Sequence, residues 1–188
     1  MVETAVAMSK AGDRTISVHA DTRLIASVYV TDEGTRATGD GSPAINCPSA
    51  GSGPQTCRAG DDNSVVATIT VDEPQANAYV LRVNGADAGL RWRVRVQPDA
   101  VVLSPHEAGT PHWTIQRKAR GRVIDARGKT VGTLKGDLGK TVVAASGGGK
   151  RFSVDGAAGS VAGGLFLIAA LAPVDRLLLL AALVGRGV

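Results

Sequence analysis

The segment LFLIAALAPVDRLLLL, residues 165–180, poses the main structural question of this 188-residue chain. Two apolar blocks flank one Asp175-Arg176 pair, and they must either enter a membrane or fill the core of a fold. The residues assigned to this membrane or core segment are Leu165, Phe166, Leu167, Ile168, Leu177, Leu178, Leu179 and Leu180.

Residues 161–184 are long enough to cross the hydrocarbon layer of a membrane. Their strongly apolar side chains favour insertion by about −4 to −8 kcal/mol, and Asp175 with Arg176 opposes it by about +5 to +7 kcal/mol. A second interpretation divides the tail at Pro173, which fits the first turn of a helix. Residues 162–172 and 173–184 are then two short apolar helices, which would form a re-entrant hairpin, a buried pair or an oligomer interface.

The residues before this tail are typical of a mainly β protein, because Val, Thr, Ala and Gly dominate and turn signals recur. Residues 90–96, LRWRVRV, give the clearest strand pattern. Successive side chains of a strand point to opposite faces, so Leu90, Trp92, Val94 and Val96 share one face. Arg91, Arg93 and Arg95 share the other.

Charge is unevenly divided along the chain, although the net charge is only +4. Residues 1–90 hold 6 Lys/Arg against 11 Asp/Glu, and residues 91–188 hold 15 against 6. A basic half of this kind predicts contact with an anionic surface such as lipid headgroups. A solvated basic face is the alternative. The candidate contact residues are Arg91, Arg93, Arg95, Arg117, Lys118, Arg120 and Arg122.

Two cysteines, Cys47 and Cys57, bracket a flexible loop rich in Pro, Ser and Gly. A short loop closes at little entropic cost, so a disulfide is expected in an oxidising compartment and two free thiols in a reducing one. No secretory signal precedes the first strand. The apolar tail and the basic half predict a location at a membrane. The compartment is expected to be the cell envelope if an upstream signal is missing from this chain, and otherwise the cytoplasm.

The sequence contains no recognisable catalytic motif, and no enzyme activity is expected. Residues 136–141, GDLGKT, lack the first glycine of a phosphate-binding loop, because Leu134 occupies its place. The histidines at 19, 106 and 112 have no metal-ligand spacing. No cofactor is expected, apart from a weak calcium possibility at Asp32, Asp40, Asp61 and Asp62, which are otherwise solvated turn residues.

Residues 13–97 resemble the bacterial pre-peptidase C-terminal family of β-sandwiches. The stretches that carry the resemblance are TISVHADTRLIASVYVTDEG, the acidic GDDN, and NAYVLRVNGADAGLRWRVRV. The resemblance implies a jelly-roll-like, non-catalytic accessory domain, usually extracytoplasmic.

The C-terminal part resembles the tubby-like and LURP-one-related barrels through RVIDARGKTVGTLKG, KRFSV and the apolar tail. In those barrels a hydrophobic C-terminal helix threads the sheet, and members are linked to membranes or lipid.

The expected architecture is mainly β: an N-terminal sandwich over residues 1–97, a proline-containing connector over 98–112, basic hairpins over 113–157 and an apolar helical tail over 158–188. The expected role is a non-catalytic accessory or binding module held at a membrane by the tail and the basic face, with lipid or a membrane protein as partner and nucleic acid disfavoured. One alternative is a tubby-like barrel with a buried C-terminal helix that binds lipid. Another is a structural subunit that oligomerises through the tail.

Overall fold

A computed structural model describes residues 13–51, 53–75, 78–105, 112–137, 139–156 and 159–188 of the chain. These residues form fourteen strands followed by two helices. The strands are β1 Arg14–Ala20, β2 Arg23–Val30, β3 Gly34–Gly39, β4 Ile45–Pro48, β5 Gln55–Ala59, β6 Val65–Gln75, β7 Ala78–Gly85, β8 Leu90–Val96, β9 Ala100–Pro105, β10 Trp113–Gln116, β11 Arg120–Ile124, β12 Thr130–Asp137, β13 Lys140–Ala145 and β14 Arg151–Asp155. The helices are α1 Gly159–Leu165 and α2 Pro173–Val184.

The strands form one closed antiparallel barrel in which each strand pairs with the next along the chain. The barrel closes between β14 and β1, where Ser17 pairs with Asp155 and Ala20 pairs with Phe152. Such closure leaves no strand with an unpaired edge. The predicted β-sandwich is therefore wrong, and so is the resemblance-based family assignment that implied it.

The sheet also continues across the predicted connector. Val96 at the end of β8 pairs with Val101 in β9, and Leu103 in β9 pairs with Trp113 in β10. Strands on both sides of this segment therefore belong to the same barrel. His106, which the sequence placed in the connector, lies outside the described residues.

Alternation along the strands sends apolar side chains to the barrel interior. In β8, Trp92, Val94 and Val96 are buried, whereas Arg95 is exposed and Arg91 and Arg93 are partly exposed. The predicted alternation is thus confirmed for residues 92–96. Leu90 is only partly buried, and the register with β7 shifts beside it.

The apolar tail occupies the interior of the barrel. In α2, Leu178, Leu179 and Leu180 are fully buried, and in and after α1 so are Leu165 and Ile168. Leu177 is 2% exposed, and Phe166 and Leu167 are partly buried against the same core. A helix that is apolar all round must be buried on all sides, and the barrel wall provides this cover. Among the described residues, no helix combines the length and hydropathy that a membrane crossing requires.

Glycines on both surfaces let the tail pack closely against the wall. A Cβ at Gly39 of β3 would lie 2.9 Å from Leu177 of α2, and one at Gly164 of α1 would lie 2.6 Å from Ile115 of β10. Both distances are shorter than van der Waals contact, so each pair approaches closely only because the glycine has no side chain. The tail therefore packs closely against two parts of the wall, with α2 on β3 and α1 on β10.

The two helices form a hairpin that enters and leaves by the same end of the barrel. We call this the entry end; it is where β14 leads into α1, and Arg14 donates from Nη2 to the carbonyl oxygen of Val184 there, at 3.0 Å. The opposite end, which we call the turn end, holds the link between the helices. Pro173, the first residue of α2, lies against Gly41 in the β3–β4 turn at this end.

Candidate functional site

The charged pair inside the tail is divided between two different partners at the turn end. Asp175 lies in the first turn of α2 and is 8% exposed. Its Oδ1 atom is 2.6 Å from Nη2 of Arg91 on the barrel wall. No N–H group points squarely at that oxygen, so the contact is an ion pair rather than an aligned hydrogen bond. The ion pair ties α2 to β8 and offsets the cost of burying the carboxylate.

Arg176 instead caps the end of α1. Its Nε donates to the carbonyl oxygen of Leu165 at 3.2 Å, and its Nη2 donates to those of Ile168 at 3.4 Å and Leu171 at 3.2 Å. The guanidinium also lies over the ring of Phe166, 5.1 Å from the centroid. Desolvation in this half-buried position lowers the pKa of Arg176. Through these contacts the side chain holds the interhelical turn in place.

We expect Arg91→Met to destabilise the fold by about 1–3 kcal/mol, because it leaves the Asp175 carboxylate buried without a counter-charge. This loss is smaller than the one expected for a fully buried ion pair, because the Arg91 side chain is 34% exposed and water partly screens its charge. Urea denaturation measures the effect, with Arg93→Met as the matched control on the same strand. Equal stability of the two variants would show that the Arg91–Asp175 contact contributes nothing.

The predicted arginine row of β8 is divided by this contact. Arg91 belongs to the internal ion pair, whereas Arg93 and Arg95 remain on the outer face. Arg93 lies directly opposite Arg82 of β7, which is 3.7 Å from Asp72 through its Nε atom. The row thus provides two outward cations that have no ion pair with a described residue.

The other predicted cations gather near the entry end on the outer face of β11 and β12. Arg120 and Arg122 are exposed on β11, and Lys118 is exposed in the loop before it. Arg117 is half-buried in the same loop and donates from Nη1 to the carbonyl oxygen of Gln97 at 2.8 Å. Sequence reasoning missed Lys135 of β12, which lies directly opposite Arg120. We call Arg117, Lys118, Arg120, Arg122 and Lys135 the basic wall.

The basic wall carries uncompensated charge. Directly opposed residues of antiparallel strands have Cβ atoms about 4.5–5.5 Å apart, and like charges in such a pair destabilise the sheet. Arg120 and Lys135 form such a pair, and no carboxylate of the described chain lies within ion-pair distance of either. Exposed Val142, opposite Lys135 on the next strand, adds an apolar contact at the edge of the wall.

A cavity of about 390 Å³ opens at the turn end beside α2. Its apolar surface comes from the wall and from both parts of the tail, and its rim carries charged side chains. The lining residues are Ala20, Asp21, Arg23, Ile25, Ala26, Gly39, Asp40, Gly149, Lys150, Arg151, Phe152, Phe166, Pro173, Arg176 and Leu177. We call it the turn-end cavity. It was not predicted from the sequence, because its residues come from five separate segments.

The two cysteines form a disulfide between β4 and β5, as the oxidising alternative predicted. The Cα atoms of Cys47 and Cys57 are 4.3 Å apart, and both residues are buried on the inner face of the barrel. The bond therefore stabilises the wall from inside and is not itself a reactive site at the surface.

We expect the double variant Cys47→Ala/Cys57→Ala to lose about 2–3 kcal/mol of folding free energy, the loop-closure contribution of a short disulfide loop. Urea denaturation of the variant and of the oxidised protein gives the difference. Wild-type protein reduced in denaturant and then refolded under reducing conditions is the control. If the variant matched the oxidised protein in stability, the bond would have no stabilising role.

The four aspartates considered for calcium do not form one cluster. Asp40 at the turn end pairs with Arg23 at 3.0 Å, and Asp32 lies in the β2–β3 loop at the entry end. Asp61 and Asp62 share the β5–β6 turn, where Oδ1 of Asp62 accepts from the backbone N–H of Ser64. Hydrogen bonds from the side chain and then the backbone of Ser64 lower the pKa of Asp62. Within the part of the chain that the structure describes, no group of three metal-ligating side chains occurs.

A histidine–aspartate contact occurs on the outer wall. Nδ1 of His19 is 3.5 Å from Oδ2 of Asp155, and Ser153 lies directly opposite His19. These are the residue types of a hydrolytic triad, but such chemistry needs a hydrogen bond from the serine to the histidine. Ser153 and His19 form none, and the pair is explained as a surface contact across the β14–β1 closure.

Comparison with known proteins finds no matching family model, no matching curated protein and no matching solved structure.

Proposed function

We propose that this chain is a non-catalytic binding barrel that docks reversibly on an anionic lipid surface through the basic wall. The observation that carries the proposal is the opposed pair Arg120–Lys135 on the outer face, with Lys118 and Arg122 exposed beside it. Placing like charges opposite each other costs folding free energy, and an anionic partner would offset that cost.

The tail has a different part in this proposal from the one expected from sequence. Leu177 to Leu180 lie inside the barrel, so they stabilise the fold and are not the membrane contact. We therefore assign attraction to the membrane surface to the basic wall and not to the tail. Each Lys or Arg near an anionic membrane contributes about 1 kcal/mol, so five give a weak and reversible association.

The chemistry of the wall favours headgroups over nucleic acid. Binding of single-stranded nucleic acid usually relies on aromatic side chains that stack on bases, and the basic wall consists of cations alone. Cations are sufficient to bind the phosphate groups of a lipid surface. Exposed Val142 next to Lys135 suits the boundary between headgroups and acyl chains.

Co-sedimentation with vesicles tests the proposal. The protein should pellet with phosphatidylcholine vesicles containing phosphatidylserine, and not with phosphatidylcholine alone. Its binding should weaken as salt rises from about 50 to about 500 mM, because the Debye length shortens roughly threefold over that range. The variant Lys118→Gln/Arg120→Gln/Arg122→Gln/Lys135→Gln should bind about a hundredfold more weakly, or more weakly still, because four cations at about 1 kcal/mol each are lost.

The matched control is Arg36→Gln/Arg58→Gln/Arg127→Gln/Lys129→Gln, which removes the same charge from exposed positions elsewhere. Equal loss in both variants would show that net charge alone drives binding and would reject the basic wall. Indifference to salt would reject the electrostatic mechanism. Stronger binding to duplex DNA than to vesicles would show that the partner class is wrong.

A further inference from the structure

The turn-end cavity combines an apolar floor with a half-buried cation, Arg176. The floor includes Phe152 and Phe166, whose ring centroids are 5.8 Å apart, together with Leu177 and Ile25. Arg176 reaches this floor from α2 and is half-buried. A volume of about 390 Å³ lies within the range of small-molecule sites.

The guanidinium of Arg176 has bonding capacity left over. Its Nε and Nη2 atoms donate to the carbonyl group of Leu165, the last residue of α1, and to those of Ile168 and Leu171 in the link that follows, whereas Nη1 has no acceptor among the described residues. No described carboxylate forms an ion pair with Arg176 either. A partly desolvated guanidinium with free N–H groups gains most from an anionic acceptor, since charge-assisted hydrogen bonds are the strong ones.

The charges at the rim also favour an anionic ligand. Arg23 and Asp40 neutralise each other at 3.0 Å, which leaves Lys150 and Arg151 against Asp21. With Arg176 included, the cavity has a net positive charge. Cations that line the same cavity as the apolar floor suit a ligand with one anionic end and one apolar body.

We propose that the turn-end cavity binds a small amphipathic carboxylate, with its anionic group on Arg176 between Lys150 and Arg151 and its apolar chain on Phe152, Phe166 and Leu177. This site lies at the opposite end of the barrel from most of the basic wall. The proposal does not depend on membrane docking, and either can fail without the other.

Calorimetric titration with decanoate tests the proposal, with 1-decanol as the neutral probe of equal chain length and decylamine as the cationic one. Decanoate should bind one molecule per chain, about tenfold or more tightly than either analogue. The variant Lys150→Gln/Arg151→Gln should weaken decanoate binding about threefold to tenfold, because both side chains are exposed at the rim. The control Arg127→Gln/Lys129→Gln removes two exposed charges from another turn at the same end, outside the cavity lining, and should bind decanoate like the wild type.

Arg176→Gln should weaken decanoate binding about tenfold or more in protein whose thermal unfolding remains cooperative. If this variant does not fold, the Lys150/Arg151 variant and the probe comparison decide the result. Equal affinity for decanoate and 1-decanol, no binding of decanoate, or equal binding by the rim variant and its control would each overturn the proposal.

Discussion

Leu180→Ala should lower the free energy of unfolding by about 2–5 kcal/mol, because it removes a fully buried side chain from the centre of the tail. The loss combines the transfer of the leucine side chain out of an apolar environment with the cavity that it leaves behind. The surrounding barrel closes only partly around such a cavity, since hydrogen bonds between strands hold the wall at a fixed diameter. Urea denaturation followed by circular dichroism measures the difference.

Leu24→Ala is the matched control for this prediction, since it makes the same chemical change at a position that is 52% exposed. It should change stability by about 0.5 kcal/mol or less. If Leu180→Ala were as mild as Leu24→Ala, the tail would not be part of the core. A membrane anchor would give that result in detergent-free solution, because its leucines would stabilise no folded contact.

Gly164→Val should destabilise the fold by about 3 kcal/mol or more, although valine is the better helix former of the two. A Cβ at this position would lie 2.6 Å from Cγ2 and 3.0 Å from Cδ1 of Ile115. The added side chain therefore forces α1 away from β10 or pushes the wall outward. Chemical denaturation of the purified variant measures the loss.

Ile115→Ala should restore part of the stability lost in Gly164→Val, because the three atoms nearest to the added Cβ all belong to Ile115. A double-mutant cycle then gives a favourable coupling between the two substitutions of about 1 kcal/mol or more. Gly53→Val is the control, since a Cβ there meets nothing within 4 Å. Additive effects of Gly164→Val and Ile115→Ala would mean that α1 does not pack on β10.

Sequence reasoning identified the features that depend on local pattern. Alternation over residues 90–96 predicted which side chains of β8 face the core, and the fit of Pro173 to a first helical turn placed the start of α2 at the residue where it begins. Both signals come from backbone geometry that neighbouring residues impose on one another. They do not depend on which distant segments meet.

The closure of the barrel depends on long-range pairing that the sequence does not display. Alternating strands are equally compatible with a sandwich and a barrel, and only the pairing of β14 with β1 distinguishes them. Three short strands, β3, β4 and β5, were also hidden in a segment rich in turn residues. Apart from Ile45, their inward side chains are small or polar, as at Ala37 and Gln55, so the segment lacks the apolar run that marks a core strand.

The candidate sites were only partly accessible from sequence for the same reason. Arg91 shares a strand face with Arg93 and Arg95, and nothing local indicates that Asp175 will reach it from the far end of the chain. Lys135 was missed because its contribution depends on the register that places it opposite Arg120. Pattern analysis finds faces of single elements, and it cannot find charges that meet only after the barrel closes.

Hydrogen exchange of the α2 amides, followed by mass spectrometry of the intact folded protein, tests the central claim most directly. If the tail fills the barrel, the amides of residues 177–184 exchange only on global unfolding, as slowly as those of β8 in the wall. Exchange of these amides within seconds, while β8 stays protected, would show that the tail lies outside the core and would contradict the account.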